Sequence, residues 1–480
     1  MRNQGYTLSD NITTYLLELY GEEAVGKYSA FIKKDAEQFI RVNSIKTDST
    51  ILKQKLSSVY KIETEEAGAV PNALRVLSNH NLTGKTIEHI IGEYYVQSLS
   101  SMIPALVLKP DKSDKVLDLC SAPGSKTTQL AELMQNKGTL VVNEIQLDRV
   151  KTLIYNLDRM NIMNTGVHHN RGEWLSRFYY NYFDKILVDA PCSGLGIMQK
   201  KGEVGNWWSE QKLSGLAELQ YKLLVSALRM LKEGGELVYS TCTMTVEENE
   251  AVIDKLMKKY PFEVLPFQLP LKSIDAFTQF RSIDFHPSLK EGKRIIPWEI
   301  GSEGFFLVKI KKTGFIEQTA KPETAKSRFG FTPFKELKTY LTKTAEFFGI
   351  PVDKLAEYKY ILKSNDIFFV DGCFEDDNPD RFNRIGTKFG TLDKNKEIIL
   401  HTQAAQVLAN TISNNIYDIT SMDELKNYLQ GGIIKKESGL KGQTVIRFNG
   451  VILGTAVIGN SGIKSRFPRA KRTQEIFLDF

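Results

Sequence analysis

The chain has 480 residues, of which 42% are hydrophobic and 25% are charged, and its formal net charge at pH 7 is +6. These values are typical of a globular protein with a full core and several domains, and they argue against a disordered or fibrous chain. The N-terminal MRNQGYTLSDN contains no apolar segment typical of a secretory signal, and apolar runs such as VILGTAVIG are too short to cross a bilayer. Four widely spaced cysteines without a C-x-x-C pair argue against a disulfide framework or a structural zinc site. We therefore expect a cytoplasmic protein that needs neither a metal nor a membrane.

The first region in chain order, residues 1–100, has a mixed pattern in which FIRVNSIKTDSTILKQKL predicts a strand followed by a capped helix. From Val116 onward, the short apolar strands KVLDLC, TLVVNE, KILVDA and GELVYST alternate with helical patterns such as LDRVKTLIYNLDRMN. Continuous apolar strands that alternate with helices are typical of a parallel sheet covered on both faces. Residues 101–312 are therefore predicted to form one doubly wound α/β domain.

Three further segments follow this α/β domain. Residues 313–330 are polar and charged and predict a linker. Residues 331–400 begin with the helical pattern PFKELKTYLTKTAEFFGI and continue into the strand-like DIFFVDG, which predicts a small middle domain. Residues 401–480 contain short strands separated by glycine turns and end in a basic run, which predicts a second small domain. The mildly basic balance of the chain permits a polyanionic partner without requiring one.

The loop LDLCSAPGSKT follows the first strand of the α/β domain and begins its first helix. Small residues at this position allow a ligand to approach the N-terminus of the helix, and a plain structural turn is an equal alternative. The spacing matches neither a phosphate-binding loop nor the dinucleotide fingerprint. Glu144 ends the next strand, where a carboxylate binds ribose hydroxyls in nucleoside-binding α/β proteins. Together the loop and Glu144 favour an adenosine-type cofactor.

Two cysteines lie just past the ends of two predicted strands, in ILVDAPCSGLG and LVYSTCTM. Because ligands bind at the carboxyl ends of strands in open α/β sheets, Cys192 and Cys242 are candidates for a catalytic pair. The sequence from Thr245 to Glu248 predicts a helix start soon after Cys242, and a helix N-terminus favours the nucleophilic thiolate. The alternative for each cysteine is an inert, buried small side chain. We assign that packing role to Cys120 and no role to Cys373.

The motifs DLCSAPGSKT, NEIQLDRVKTLIYNLDRM, DAPCSGLG, KEGGELVYSTCTMTVEENE and GSEGFF together resemble those of the Sun-type RNA cytosine-5 methyltransferases, which use S-adenosylmethionine. The likeness covers residues 35–312 and includes the upstream RVNSIK and GEYYVQSLSSMIPALVL. The combination of DAPCSG with STCT is very specific because it contains both cysteines of the family in order. The C-terminal GVILG and GIKSRFPRAKR resemble, more weakly, the PUA-like RNA-binding domain of the bacterial 16S rRNA branch.

This resemblance implies a Rossmann-like class I methyltransferase core, preceded by a small α+β N-terminal domain and followed by C-terminal α/β domains that bind RNA. By the same resemblance, Cys242 is the thiolate that adds to carbon 6 of cytosine, Asp189 supports the charge shift in the ring, and Cys192 takes part in product release. Lys126 would lie near the carboxylate of the cofactor or the target base. The residues implied to bind S-adenosylmethionine are Cys120, Ser121, Ala122, Pro123, Gly124, Ser125, Lys126, Glu144 and Asp189.

One departure from the family pattern concerns the adenine end of the cofactor site. The family usually has an aspartate after the third strand, whereas this chain has Asn170 and Arg171 in GVHHNRGEWL, and the sequence does not indicate what replaces it. The adjacent His168 and His169 are predicted to point to opposite faces of a strand, one packed and one solvated, which argues against a metal site. Arg149 is predicted either to support the cofactor site or to form a surface ion pair.

RNA contacts are predicted in the N-terminal region and at the basic C-terminal end. A basic cluster around Phe467 suits phosphate contact with stacking of a base, and a solvated basic end is the alternative. The cluster consists of Lys464, Arg466, Arg469, Lys471 and Arg472. We expect a monomer that acts on ribosomal RNA, with transfer RNA as the alternative substrate. A catalytically silent RNA-binding ribosome assembly factor is the alternative from another class, supported by the missing aspartate.

Overall fold

The computed structural model describes residues 8–318, 330–436, 439, 441–472 and 476. The N-terminal elements are α1 (Asp10–Tyr20), α2 (Glu22–Lys33), β1 (Phe39–Val42), α3 (Ser49–Tyr60), β2 (Thr64–Glu66), β3 (Ala73–Val76), α4 (Ile87–Ile90) and β4 (Tyr94–Val96). The four strands form an antiparallel sheet in the order β2-β3-β1-β4. Helix α3 is the capped helix predicted from the sequence, because the Asp48 side chain accepts a hydrogen bond from the Ile51 N–H at 2.9 Å.

The α/β region follows and alternates strands with helices. Its first elements are α5 (Ile103–Leu108), β5 (Lys115–Asp118), α6 (Ser125–Leu133), β6 (Thr139–Asn143), α7 (Leu147–Met160), β7 (Thr165–His168), β8 (Phe183–Asp189), α8 (Val204–Trp207), α9 (Glu210–Met230) and β9 (Leu231–Thr241). They are followed by α10 (Glu250–Met257), β10 (Phe262–Leu265), β11 (Ile274–Asp275), β12 (Gln279–Phe280), β13 (Ile283–Asp284), β14 (Lys293–Ile295), α11 (Pro297–Ile300) and β15 (Phe305–Lys312). Among the described residues, no helix is both long and apolar enough to span a membrane.

The C-terminal part contains two smaller sheets. Its elements are α12 (Phe334–Phe348), α13 (Val352–Ala356), β16 (Tyr358–Lys363), β17 (Asp366–Asp371), β18 (Arg384–Ile385), β19 (Thr387–Leu392), β20 (Ile398–Leu400), α14 (Thr402–Val407), β21 (Ile416–Asp418), α15 (Met422–Leu429), β22 (Ile433–Ile434), β23 (Gly442–Phe448), β24 (Val451–Gly459), β25 (Gly462–Ser465) and α16 (Arg469–Arg472). The sheets have the orders β16-β17-β19-β20 and β21-β23-β24-β25-β22. Most of the predicted linker, residues 319–329, lies outside the described part of the chain.

The central sheet has the strand order β11-β14-β15-β9-β8-β5-β6-β7-β18, and β10 pairs with β15. Strands β9, β8, β5, β6 and β7 are parallel, and β15 is antiparallel to β9. Successive strand residues join different buried clusters, with Leu117 and Leu237 in one and Val116 and Val238 in the other. Burial on both faces explains the continuous apolar runs in the sequence, and the doubly wound α/β fold is confirmed.

The chain order reverses beside β5, and this reversal positions the site. From β5 the chain proceeds outward to β6 and β7, and it then returns to β8 on the other side of β5. Ligands of open α/β sheets bind at this switch point, beyond the carboxyl ends of the strands. The loops after β5 and β8 contain the residues singled out in the sequence, so the topology brings them to one cleft.

Buried clusters also cross the predicted domain boundaries. Side chains of α1 and α2, such as Tyr15 and Tyr28, belong to the same cluster as the central sheet. Ile87 and Ile90 of the N-terminal region pack with side chains of the last five-stranded sheet, and Met163 beside β7 packs with the middle segment. The domain boundaries therefore stay a prediction, because buried hydrophobic side chains pack together across them.

Candidate active site

The carboxyl ends of β8 and β9 bring the two predicted cysteines together. These strands are parallel neighbours, and Cys192 and Cys242 lie in the loops that follow them. Their Sγ atoms are 3.2 Å apart, within hydrogen-bonding distance. The hydrogen bond to Cys242, together with burial, raises the pKa of Cys192 well above its usual range. Cys192 therefore stays a neutral thiol near pH 7 and can donate its hydrogen to the Cys242 sulfur.

The helix predicted just after Cys242 begins later than the sequence pattern indicated. Helix α10 begins at Glu250, more than one helical turn beyond the cysteine. The side chain of Thr245 instead donates to Glu248 Oε2 at 2.8 Å within an irregular loop. Stabilisation of the thiolate by a helix N-terminus was thus a wrong expectation, because that effect falls off within the first turn.

Lys126 and Asp189 form an ion pair at the same edge of the sheet. Lys126 Nζ lies 2.8 Å from Asp189 Oδ2 and donates to Ser101 Oγ at 3.0 Å. The Ser240 hydroxyl donates to the other carboxylate oxygen, Asp189 Oδ1, at 2.7 Å. Burial disfavours the charged form of Lys126, but the Asp189 carboxylate more than offsets this and the pKa of Lys126 is raised. Ser101 and Ser240 could not be predicted as site residues from the sequence, since serines at strand and helix ends are common.

The loop between β5 and α6 is held from behind by α7. Arg149 Nη2 and Asn156 Nδ2 donate to the carbonyl oxygens of Ala122 and Pro123, at 2.5 and 2.9 Å. Gly124 has a φ of +107°, a conformation that favours glycine. Within the described residues, α6 begins without a side-chain cap. The N–H groups of its first turn are therefore available to an anionic ligand.

The remaining loop residues face β6 and the N-terminal sheet. Ser121 donates both its N–H and its hydroxyl to the Asn143 carbonyl, at 2.9 Å each, and the Ser125 carbonyl accepts from Arg41 Nη1 at 2.7 Å. Cys120 packs against the buried core, and burial raises its pKa well above the usual range. In this arrangement the side chains of Ser121 and Cys120 hold the loop, and the half-buried Ser125 leaves the start of α6 partly open to a ligand.

Two carboxylates complete the cleft on this side. Glu144 is buried, accepts the Gln146 N–H at 2.9 Å and lies 3.2 Å from Arg149 Nη1. Arg149 therefore supports the candidate site, because it joins Glu144 to the loop carbonyl. Asp118 accepts from the Thr127 hydroxyl at 2.6 Å, and its Oδ1 has no hydrogen-bond partner among the described residues. An unpartnered buried oxygen and an uncapped helix fit a polar, nucleoside-type ligand.

Asn170 and Arg171, which stand where the family usually has an aspartate, have no carboxylate, and their side chains are engaged in local contacts. Asn170 Oδ1 accepts the Arg171 N–H at 2.8 Å. The Arg171 guanidinium pairs with Glu173 at 2.7 Å and lies 4.7 Å from the Trp174 ring centroid. These contacts stabilise the turn after β7, and the structure shows no direct substitute at these two positions.

The paired histidines are arranged as predicted. His168 is buried with its Nε2 2.8 Å from the Tyr179 hydroxyl, and burial lowers its pKa to about 3. His169 is exposed and contacts the Ile145 carbonyl at 2.9 Å. Nowhere in the described ranges do three or more histidine, cysteine, aspartate or glutamate side chains cluster as they would around a metal ion.

The basic C-terminal cluster is smaller at the surface than its sequence suggested. Its exposed members are Lys464, Arg466 and Arg469. The structure corrects the prediction for Phe467, which is 1% exposed and packs against Tyr428 with ring centroids 5.6 Å apart, so it is not available to stack on a base. Lys471 is also corrected, since it is 1% exposed and burial lowers its pKa to about 8. Arg472 Nε donates to the Phe467 carbonyl at 2.8 Å.

Three relatives of this chain and the family model that matches it are named as ribosomal RNA methyltransferases. A family model described as 16S rRNA methyltransferase RsmB/F matches residues 105–311. The chain is 35% identical over 397 residues to ribosomal RNA small subunit methyltransferase F of Shewanella piezotolerans, a match that covers 80% of each protein. It is 30% identical to the protein of that name in Vibrio vulnificus, over 92% of each. A 28S rRNA (cytosine-C(5))-methyltransferase of Mus musculus is 32% identical, over 73% of this chain and 44% of that longer protein.

Two solved structures share the fold over part of this chain. A methyltransferase homologue from Pyrococcus horikoshii matches with a TM-score of 0.56 and 29% identity, over 62% of this chain and 93% of that one. NSun6 from Pyrococcus horikoshii with SFG has a TM-score of 0.56 at 20% identity, over 65% of this chain and 100% of that one. At this level of identity, the similarity to NSun6 shows only that the two proteins share a fold.

Proposed function

Because this chain belongs to the 16S rRNA methyltransferase RsmB/F family, we propose that it methylates carbon 5 of cytosine in ribosomal RNA. The observation that carries this proposal is the cysteine pair. The two Sγ atoms lie 3.2 Å apart at the ends of neighbouring parallel strands, at the same edge of the sheet as the Lys126–Asp189 ion pair. The relatives named as cytosine-C(5) methyltransferases support the choice of base and atom.

The proposed chemistry follows from the weak nucleophilicity of carbon 5 in cytosine. The target base must first leave its stack so that a thiol can reach it. The Cys242 thiolate adds to carbon 6, and the resulting enamine makes carbon 5 nucleophilic. Asp189, held by Lys126 and Ser240, hydrogen-bonds the ring and supports the charge shift. After methyl transfer, carbon 5 loses its proton to solvent, the electrons of that bond restore the double bond between carbons 5 and 6, and the Cys242 sulfur leaves carbon 6 as a thiolate. Cys192 assists this release, since its thiol can donate a hydrogen bond to the departing sulfur.

The residues of the cleft fit S-adenosylmethionine as the cofactor. The backbone of residues 120–126 and the uncapped start of α6 would hold its carboxylate end, and Glu144 would hold its ribose. When bound, S-adenosylmethionine supplies the methyl group. Lys126 stays protonated beside Asp189 and orients that carboxylate toward the substrate.

The RNA partner and the setting are part of the same proposal. The names of the bacterial relatives favour small-subunit ribosomal RNA, and transfer RNA is the alternative. Lys464, Arg466 and Arg469 are exposed and are proposed to contact phosphates. A cytoplasmic monomer and a PUA-like C-terminal domain stay predictions.

The test is a denaturing gel of the full chain with S-adenosylmethionine and in vitro transcribed 16S ribosomal RNA or transfer RNA. We expect Cys192→Ala to accumulate a slowly migrating covalent band with its true substrate, because the adduct forms but is not released. Cys242→Ala should give no band and no methyl transfer. Cys373→Ala changes an exposed cysteine outside the cleft and serves as the matched control, with the behaviour of the wild type.

Two other results would change the proposal. A band with Cys242→Ala alone would reverse the roles of the two cysteines. No band from any variant, together with no methyl transfer to either RNA by the wild type, would leave the silent RNA-binding factor as the better explanation.

A further inference from the structure

A fully buried carboxylate, that of Glu248, lies between the two cysteine loops. Its exposed fraction is 0%. Oε1 accepts the Ser193 N–H at 2.9 Å and the Gln220 amide at 3.0 Å. Oε2 accepts the hydroxyls of Ser193 and Thr245, the latter at 2.8 Å. The carboxylate thus joins three segments that are distant in sequence, and both of its oxygens are hydrogen-bonded.

These contacts act directly on the loops that contain the cysteines. Ser193 is the residue after Cys192, and its hydroxyl also lies 2.8 Å from Thr243 Oγ1, one residue after Cys242. Thr245 lies further along the same loop. Both stretches lack regular secondary structure at the cysteines. One backbone hydrogen bond joins the two loops, from the Gly196 N–H to the Cys242 carbonyl at 3.0 Å, but it lies four residues beyond Cys192, so side-chain contacts are needed to hold Cys192 itself. A buried carboxylate with its hydrogen bonds satisfied holds such loops firmly, because an unpaired partner would be costly in this interior.

We propose that Glu248 is a positioning residue that sets the distance between Cys192 and Cys242. The consequence for catalysis rests on the proposed function, in which one sulfur forms the adduct and the other assists its release. Without the carboxylate, Cys242 still follows β9 and can add to the base, whereas Cys192 drifts from it. The variant would therefore form the covalent adduct and resolve it slowly, although Cys192 is intact.

Two substitutions separate this role from general stability. Glu248→Ala removes all four hydrogen bonds. Glu248→Gln keeps Oε1 for the two N–H donors, and the hydroxyls of Ser193 and Thr245 can rotate to accept from the new amide, so this variant should retain the spacing. Asp254→Ala is the control, because Asp254 is also buried and lies on the following helix, α10, but it accepts the His286 N–H and pairs with Lys258 rather than contacting the cysteine loops.

The first experiment measures the spacing without RNA. Diamide oxidises two neighbouring thiols to a disulfide and takes up their two hydrogen atoms. Mass spectrometry of digested protein then gives the rate at which the peptides of Cys192 and Cys242 become linked. We expect wild type, Glu248→Gln and Asp254→Ala to link at similar rates. Glu248→Ala should be roughly 10- to 100-fold slower, the order of loss that a misplacement near 1 Å produces. An unchanged rate in a folded Glu248→Ala protein would overturn the proposal.

The second experiment is the denaturing gel with RNA and S-adenosylmethionine. Glu248→Ala should accumulate the covalent band as Cys192→Ala does, and Glu248→Gln should not. If Cys192→Ala itself gives no band, the proposed roles of the cysteines fail, and the diamide rates alone decide whether Glu248 positions them. If Glu248→Ala does not fold by circular dichroism, Thr245→Val replaces it, since it removes one of the four donors. Slower linking in Thr245→Val then supports the proposal, and linking at the wild-type rate contradicts it.

Discussion

Asp118, the last residue of β5, has a buried carboxyl group in which only one of the two oxygens is hydrogen-bonded by the described residues. One oxygen accepts from Thr127, and the other has no hydrogen-bond partner among the described residues. Burial raises the pKa of Asp118 to about 7. The unfolded chain releases this proton near pH 4, whereas the folded protein keeps it until about pH 7. Folding therefore binds a proton in that window, and Asp118 makes the protein less stable as the pH rises through it.

Asp118→Asn should remove this pH dependence, because an amide cannot ionise. The wild type loses up to ~4 kcal/mol of unfolding free energy from this group between about pH 4 and 7, and little more above pH 7. The unfolding free energy of the variant should therefore rise relative to that of the wild type as the pH increases through that window. Urea unfolding at half-unit steps from pH 5 to 8 measures the difference, with Asp148→Asn on the exposed start of α7 as the control. Parallel curves for Asp118→Asn and the wild type would contradict the argument.

The strands and helices show which parts of the fold the sequence could predict. Strands β5, β6, β8 and β9 are apolar on both faces, and the chemistry of the loops after them was readable because strand ends meet at one edge. The helix start predicted at Thr245 was wrong because the Thr245–Glu248 pair is used in a contact with Ser193. The burial of Phe467 and Lys471 could not be predicted from the local sequence either, since it depends on packing with residues far along the chain. Local patterns located the site, and tertiary contacts decided its details.

The contact between β1 and α6 allows a test at the level of these elements. Arg41 of β1 is buried and forms a double contact with Glu132 of α6, with N to O distances of 2.8 and 3.1 Å. Arg41→Met should lower the unfolding free energy by ~3–5 kcal/mol, because it leaves the Glu132 carboxylate buried without its partner. The double variant with Glu132→Met should recover most of this loss. Denaturant titrations of both proteins check the prediction, which fails if the double variant is as unstable as the single one.

At the level of the whole molecule, the middle segment completes the central sheet. Strand β18 pairs with β7, with Arg384 opposite Val167. Gly166 of β7 provides the space for this docking, since a Cβ there would lie 2.5 Å from the ring of Phe382 and 2.9 Å from that of Phe374. The C-terminal part is thus attached through strand pairing and close packing rather than through a linker alone.

Gly166→Val should therefore loosen the C-terminal part from the core. We expect a lower melting temperature and faster proteolysis in the region of β18, because a rigid side chain would displace both phenylalanine rings. Gly215→Ala is the matched control, since a Cβ at this helical position meets nothing within 4 Å. It should keep the wild-type cleavage pattern and gain up to ~1 kcal/mol from its better helix propensity. Equal cleavage rates in Gly166→Val and the wild type would show that the docking tolerates the added volume.

The pairing of β7 with β18 also has a consequence for synthesis of the chain. The two strands are about 220 residues apart, so the ribosome has completed β7 long before its partner emerges. At ~5–20 residues per second, the edge of the unfinished sheet waits roughly 10–40 s with unpaired backbone groups. An open strand edge can pair with other nascent chains. During this period a chaperone bound at the edge of β7 would prevent its unpaired backbone groups from pairing with other chains.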